Sequence, residues 1–176
     1  VPIGQTNSLY INTSAAPPSF DLAGAKALLD SCGYHVNPAT GFRTTPSGVP
    51  IAASILSPPK DYDPVRASAA IMISNNLKSI GLNINSAPTS FDTIVAKAFT
   101  PPVDFDIYIL GWLLGDFPES YICGFFCSSQ DVNINPAGSN SAGYHNAAVD
   151  AKIAQALVTV DNQARYNLIK DVEGQV

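Results

Sequence analysis

Charged side chains are scarce in this sequence, and positively charged ones are scarcer still. Charged residues make up 13% of the 176 residues, about half of the share that is usual in soluble domains. The nine Lys and Arg residues are scattered singly, and the net charge is -5. Because no basic stripe is available to follow a phosphate backbone, the sequence predicts no nucleic-acid partner.

Long apolar runs are missing as well. No segment approaches the roughly 18 apolar residues that a membrane-spanning helix needs. Hydrophobic residues nevertheless reach 46% of the chain, which is in the globular range and sufficient for a buried core at this length. The chain begins at Val1 and its last residues keep a helical pattern. These ends favour the interpretation that it is a piece of a longer protein.

Cysteine and histidine are too few for most metal or nucleophile chemistry. The three cysteines are Cys32, Cys123 and Cys127, and an odd number cannot be fully paired within the chain. Cys123 and Cys127 can reach bonding distance if their segment forms a helical turn, so buried thiols and one disulfide both stay open. Cys32, on the apolar face of its predicted helix, is expected in the core. A zinc site would need more ligands than these cysteines and His145 supply, and no metal or cofactor is predicted.

The common catalytic and phosphate-binding motifs are absent too. The sequence contains no G-x-S-x-G, G-x-x-x-x-G-K, G-x-G-x-x-G or H-E-x-x-H pattern. Asp104 and Asp106 share one face of a predicted strand, but at the start of the strand, where we expect a solvated edge. No catalytic residue is predicted. The alternative is a small stand-alone α/β enzyme that uses Asp116 and His145.

What the sequence does contain is an alternation of strands and helices, which is typical of right-handed crossovers on a largely parallel sheet. Asp63 and Pro64 begin the clearest helix, whose predicted buried stripe is Ala69, Ile73, Leu77 and Ile80. Residues 1–19 are predicted to be an extended segment, and the chain after residue 112 to be irregular as far as residue 146. Strands are predicted at 49–57, 82–86 and 104–112, and helices at 20–34, 63–81, 90–99, 147–160 and 161–175.

The strand at 104–112 is predicted to be central and to lead into a binding loop. Residues 107–110 form a continuous apolar block, as in parallel strands that are covered on both faces. Ligands of open parallel sheets bind beyond the carboxyl ends of the strands, so we expect a site in the loop after this strand. Its residues are Gly111, Trp112, Leu113, Asp116 and Phe117.

Three of these loop residues have chemistry that suits a ligand. Gly111 lets a ligand approach the backbone, Trp112 offers a stacking face, and Asp116 can hold a cationic group. The alternative is purely structural: Trp112 fills the core under the loop, and Asp116 caps a turn before Pro118.

Five segments carry a family resemblance. In order and spacing they resemble the second lobe of the extracellular solute-binding proteins of family 5, the oligopeptide-, dipeptide- and nickel-binding components of ATP-driven importers. The resemblance extends from about residue 20 to near the end of the chain. The segments are "FDLAGAKALLDSCGY", "DPVRASAAIMISNNLKSIGLNIN", "FDIYILGW", "SAGYHNAAVDAKIAQAL" and "DNQARYNLI".

The resemblance implies a two-lobed parent protein in which residues 1–176 are a single lobe and the first lobe lies outside this sequence. The lobe is expected to be a three-layer α/β structure of the periplasmic-binding-protein type II class, with a mostly parallel sheet. The two lobes would close on a ligand by hinge motion and present it to a membrane permease. This implies an extracytoplasmic location, in the periplasm or on the cell surface, with a membrane anchor in the parent protein.

The resemblance also bears on the ligand. In peptide-binding members, an aspartate shortly after a Gly-Trp pair receives the amino terminus of the peptide. Asp116 is similar, but it lies four residues after Trp112, one more than that spacing. The "GDFP" stretch resembles relatives that lack the aspartate. The resemblance implies an oligopeptide as the ligand, and this departure in spacing keeps an oligosaccharide stacked on Trp112 as the alternative.

Overall fold

The computed structural model describes residue 3 and residues 5–15 and 18–176. They divide into two compact units. The first, here called the sheet unit, comprises residues 19–98 and 104–111. The second, here called the helical unit, comprises the described residues up to residue 18 together with residues 99–103 and 112–176. Each unit has its own core.

A parallel sheet forms the centre of the sheet unit. Its strands are β1 (Ala52–Ser57), β2 (Asn83–Pro88) and β3 (Ile107–Tyr108), in the order β2-β1-β3. β1 pairs with β2 along its full length, from Ala52 opposite Asn83 to Ser57 opposite Pro88. Both pairings are parallel. The predicted α/β class with a parallel sheet is thereby confirmed.

Three helices belong to the sheet unit, and local capping chemistry explains where each begins. They are α1 (Leu22–Ser31), α2 (Pro64–Ser79) and α3 (Phe91–Phe99). Asp21, Asp63 and Ser90 accept backbone N–H bonds at their starts, as the sequence predicts. Gly33 and Gly81 follow α1 and α2 with φ of 84° and 90°, a conformation that favours glycine.

The prediction of a central strand at 104–112 is wrong. β3 covers two residues and lies at an edge of the described sheet, while β1 is the central strand. The apolar block at 107–110 is only half-buried. Ile109 N–H still donates to Leu56 O at 2.8 Å, which extends the pairing one step beyond the strand.

The predicted buried faces of two helices are also corrected. The buried residues of α2 are Ala67, Ala70 and Ser74. Of the predicted stripe, Ile80 is buried as expected, whereas Ile73 is 40% exposed. Small residues face the sheet here, and Ser74 Oγ donates to Ile84 O of β2 at 2.8 Å. Cys32, expected in the core, is an exposed free thiol, because α1 buries none of its residues.

The helical unit contains α4 (Pro118–Phe126), α5 (Ala147–Val158) and α6 (Asn162–Glu173). Asp161 caps α6 by accepting the N–H of Ala164 at 2.7 Å, as predicted. Among the described residues, no helix is long and apolar enough to cross a membrane. The core of the unit consists of buried residues from all three helices and from the start of the chain: Ile3, Tyr10, Ile122, Cys127, Val149, Ile153, Ala156, Ile169 and Val172.

Two segments predicted to be irregular contain helix. Gln5–Tyr10 forms a 3₁₀ helix with a kink at Asn7, so this part of the segment 1–19 is not extended. The rest of that prediction falls partly outside the described residues. In the segment after residue 112, the prediction from the sequence did not include α4 or a short 3₁₀ helix at Ser128–Gln130.

A disulfide closes the last turn of α4. It joins Cys123 and Cys127, whose Cα atoms are 4.7 Å apart, which settles the alternative that the sequence left open. Such a bond is typical of proteins that fold in an oxidising compartment.

Removing this disulfide is expected to lower stability. With a sequence separation of 4, the loop is short, and its closure is worth about 2 kcal/mol in the chain-entropy model. Replacing both Cys123 and Cys127 by serine should therefore lower the Tm in thermal unfolding followed by circular dichroism. Cys32→Ser is the matched control, since this thiol is free and exposed. An unchanged Tm in the double variant would contradict the prediction.

Candidate functional site

The predicted loop follows β3 along the chain, and its first residue, Gly111, belongs to the sheet unit. Within the sheet unit, Gly111 lies against the guanidinium of Arg66. A Cβ at this position would be 1.7 Å from Arg66 Nη2. Arg66 is itself held by an ion pair of 2.5 Å with Asp63. Because Gly111 has no side chain, Arg66 can lie against it. No sequence pattern indicates this neighbour. That Gly111 contacts a ligand stays a prediction.

Trp112 is the first residue of the longest segment of the helical unit, and it is 48% exposed. Two rings contact it edge to face, Phe99 with a centroid distance of 5.6 Å and Phe125 with 4.8 Å. A side chain held in this way by aromatic neighbours keeps a defined orientation while part of its surface stays open. The structure therefore does not place Trp112 in the core.

The residues after Trp112 expose more apolar surface than a loop normally does. Leu113 is fully exposed, Phe117 is 61% exposed, and Leu114 is 39% exposed. Contiguous exposed apolar side chains on a soluble protein are typical of a surface that binds a ligand or a partner. We call residues 112–117 the tryptophan loop.

Asp116 lies in different surroundings from those of Trp112. It lines an open hollow of about 360 Å³, together with Tyr10, Asn162 and Arg165 among others. Arg165 Nη2 donates to Asn162 Oδ1 at 2.6 Å. Arg165 Nε is 3.2 Å from the carboxylate of Glu119, which is only 6% exposed. The positive charge beside Asp116 is therefore already paired.

The same hollow contains a perturbed phenol. Burial raises the pKa of Tyr10, and its hydrogen bond with Arg165 acts in the opposite direction. The hydrogen bond with Tyr10 also raises the pKa of Arg165. The raised pKa of Tyr10 favours its neutral form, and the raised pKa of Arg165 favours its charged form. These two side chains therefore line the hollow as a neutral phenol and a cation and not as an acid–base pair.

His145 has a structural partner. Its Nε2 is 2.7 Å from Asp131 Oδ2, while the other Asp131 oxygen accepts the N–H of Asn133 at 2.9 Å. The bond with His145, followed by that from Asn133, lowers the pKa of the Asp131 carboxyl. The enzyme alternative paired His145 with Asp116, but His145 is paired with Asp131.

The other carboxylates singled out in the sequence also have structural contacts. Asp106 Oδ2 accepts the N–H of Ser54 in β1 at 2.9 Å. Asp104 forms an ion pair with Lys97. Among the described residues, no group of three or more His, Cys, Asp or Glu side chains is arranged to hold a metal ion.

A second cavity, in the sheet unit, was not predicted. The loop after β1 and the residues after β2 that begin α3 supply its lining residues. Tyr62 and Phe91 stack there, with centroids 6.2 Å apart and planes inclined by 27°. The position follows the rule for parallel sheets. The sequence shows each loop, but it gives no sign that two aromatic residues 29 positions apart meet.

Comparison with known proteins gives a family and a set of relatives. The model of the family described as "Bacterial extracellular solute-binding proteins, family 5 Middle" matches residues 2–133. The oligopeptide-binding protein AppA of Bacillus subtilis (strain 168) is 29% identical over 103 residues, which are 58% of this chain and 18% of AppA. The chain thus spans under a fifth of the length of this relative.

Solved structures show the same fold. A mannohexaose-bound periplasmic oligopeptide-binding protein from Thermotoga maritima superimposes with a TM-score of 0.80 at 19% identity, over 95% of this chain and 31% of the other. An oligopeptide-binding protein from Thermus thermophilus, complexed with a pentapeptide, gives 0.79 at 22% identity, over 98% and 30%. The chain corresponds to less than a third of either protein.

Proposed function

This chain belongs to family 5 of the bacterial extracellular solute-binding proteins, and we propose that it forms one lobe of the substrate-binding component of an ABC transporter that captures oligopeptides. The observation that carries this proposal is the tryptophan loop, an exposed apolar segment that follows a parallel strand at its carboxyl end. A second lobe, outside residues 1–176, would close over the bound ligand by hinge motion.

The tryptophan loop supplies the contacts that an extended oligomer needs. Trp112 would stack on the ligand, since Phe99 and Phe125 contact its ring while the residue stays about half exposed. Leu113 and Phe117 would bury apolar area against the ligand, which is the main source of affinity in such sites. Asp116 would bind a positively charged group, because the cation beside it, Arg165, is paired with Glu119.

Oligopeptides are proposed as ligands because the curated relative is an oligopeptide-binding protein. An oligosaccharide is the second candidate. It is favoured by the exposed ring of Trp112 and by the wider spacing of Asp116, since a sugar ring needs a stacking face more than a charge. The mannohexaose-bound protein from Thermotoga maritima, which has the same fold, supports this second candidate.

The location we propose is outside the cytoplasmic membrane, with a membrane anchor in the parent protein and a permease as the partner that receives the ligand. The family is extracellular by its description. The disulfide between Cys123 and Cys127 is consistent with an oxidising compartment. No catalytic step is proposed, because His145 and Asp116 have different neighbours.

The test is a thermal-shift measurement on the parent protein that contains this chain, with pooled pentapeptides and pooled oligosaccharides. A ligand that binds only the folded protein raises its stability by about 2.7 kcal/mol at 100 times Kd. We expect the peptide pool to raise the Tm. A rise with the sugars alone would replace the peptide by the oligosaccharide, and no rise with either pool would contradict solute capture of these two classes.

A further inference from the structure

The unpredicted cavity of the sheet unit has the composition of a binding pocket rather than of a packing defect. It is open to solvent, with a volume of about 340 Å³. Its lining comes from the loop between β1 and α2 and from the residues after β2 that begin α3. The lining residues are Pro59, Asp61, Tyr62, Ser90, Phe91 and Asp92.

An aromatic pair forms one wall of this cavity. Tyr62 is 63% exposed and Phe91 is 40% exposed, although both side chains carry large apolar surfaces. Their rings stack on each other rather than turning into the core around Ile55 and Ile84. Exposed aromatic rings that line a cavity offer a π-face to a flat or cationic group.

The charge of the cavity is negative. Asp61 and Asp92 line it, and none of the described lining residues is positively charged. Within the described part of the chain, neither carboxylate has a hydrogen-bond or ion-pair partner. By contrast, Asp63 in the same loop is bonded to Arg66. The two free carboxylates are therefore available to a ligand.

We propose that this aromatic and acidic cavity, here called the Tyr62 pocket, binds a cationic side chain of the oligopeptide ligand, arginine or lysine. This inference rests on the proposed function and adds a preference within it. A guanidinium or ammonium group over Phe91 or Tyr62 gains a cation–π contact, and each carboxylate adds a charge-assisted hydrogen bond. A neutral sugar could stack on the rings but would leave the two carboxylates without an ion-pair partner. An acidic side chain would be repelled by the carboxylates.

The helix N-termini at the cavity do not reverse this preference. α2 and α3 both start there, and an uncapped N-terminus attracts anions. Here the side chain of Asp63 occupies the N-terminus of α2, and that of Ser90 occupies the N-terminus of α3. The remaining field is dominated by two full negative charges, so a cation is the matching ligand.

The experiment is calorimetric titration of the parent protein with a set of alanine pentapeptides. Each position is replaced in turn by arginine, by citrulline, which has the same shape without the charge, or by glutamate. At one position we expect arginine to bind about tenfold more tightly than citrulline, from one cation–π contact and exposed charge pairs. Glutamate at that position should bind more weakly than citrulline.

Variants then assign the preference to the pocket. Asp61→Asn combined with Asp92→Asn should make arginine and citrulline peptides equal in affinity, while binding of the all-alanine peptide is kept. Asp104→Asn is the control, because it removes one negative charge from the sheet unit before the start of β3, at the edge of the parallel sheet opposite to the pocket. It should keep the tenfold difference.

The outcomes separate the two levels of the proposal. If the peptides bind but arginine and citrulline are equal at every position, the Tyr62 pocket inference is overturned and peptide capture stands. A preference for arginine that survives the double substitution overturns it too. If no pentapeptide binds while an oligosaccharide does, peptide capture itself is overturned.

Discussion

Replacing Arg43 by methionine is expected to lower the free energy of unfolding by about 3 kcal/mol, because one buried and two part-buried acceptors lose a charged donor. Arg43 is 3% exposed. Its Nε donates to Ile80 O at 2.6 Å, and its Nη1 donates to Asp30 Oδ1 at 2.5 Å and also to Tyr34 O. These bonds connect the ends of α1 and α2 through one side chain.

The aliphatic part of the Arg43 side chain is also closely packed, against Gly81. A Cβ on Gly81 would lie 3.0 Å from Arg43 Cγ, and the φ of Gly81 is 90°. The hydrogen bond from Arg43 also lowers the pKa of the Asp30 carboxyl. The stability that comes from this pair is present above the usual aspartate pKa and is lost as the pH falls through the lowered value.

Equilibrium denaturation with urea is the measurement for Arg43, with two comparison variants. Arg43→Lys keeps the charge but has no planar fork, so it should recover only part of the loss. Lys26→Met removes an exposed cation from α1 and should have little effect. If Arg43→Met and Lys26→Met unfolded at the same urea concentration, the hydrogen bonds of Arg43 would not contribute to stability.

Features of the fold that depend on adjacent residues could be predicted from the sequence, whereas features that depend on residues far apart in the sequence could not. The start of α2 could be predicted because Asp63 and Pro64 act within one turn. α4 was missed because its N-cap residue, Phe117, makes no side-chain capping bond, although Pro118 stands at its first turn. The place of β3 at an edge depends on which strands pair, which an apolar run such as 107–110 does not encode.

The same distinction explains which residues of the candidate site could be located from the sequence. Trp112 and the exposed residues after it could be located because they follow a strand directly along the chain. The contact of Arg66 in α2 with Gly111, and that of Tyr62 with Phe91 at the start of α3, join residues that are far apart in the sequence. Such contacts depend on the register and length of the strands, so the sequence alone did not indicate them.

Replacing Trp112 by alanine in the parent protein should weaken ligand binding by about 1 to 3 kcal/mol, the usual range for an aromatic residue that stacks on its ligand. The exposed part of Trp112 is what a ligand would cover, since the residue stays 48% exposed although Phe99 and Phe125 contact its ring. Trp112→Phe should recover part of the affinity, because it keeps a smaller stacking face. The measurement is titration calorimetry with whichever pool raised the Tm.

Packing and ligand contact can be separated with a second variant at the same cluster. Phe125→Leu removes the ring that lies 4.8 Å from Trp112 and leaves the indole in place. If Trp112 contacts the ligand, Trp112→Ala lowers both affinity and Tm, whereas Phe125→Leu lowers mainly the Tm. If the two variants lost the same stability and neither lost affinity, Trp112 would serve only the aromatic cluster. Ligand capture by this loop would then have to depend on Leu113, Asp116 and Phe117.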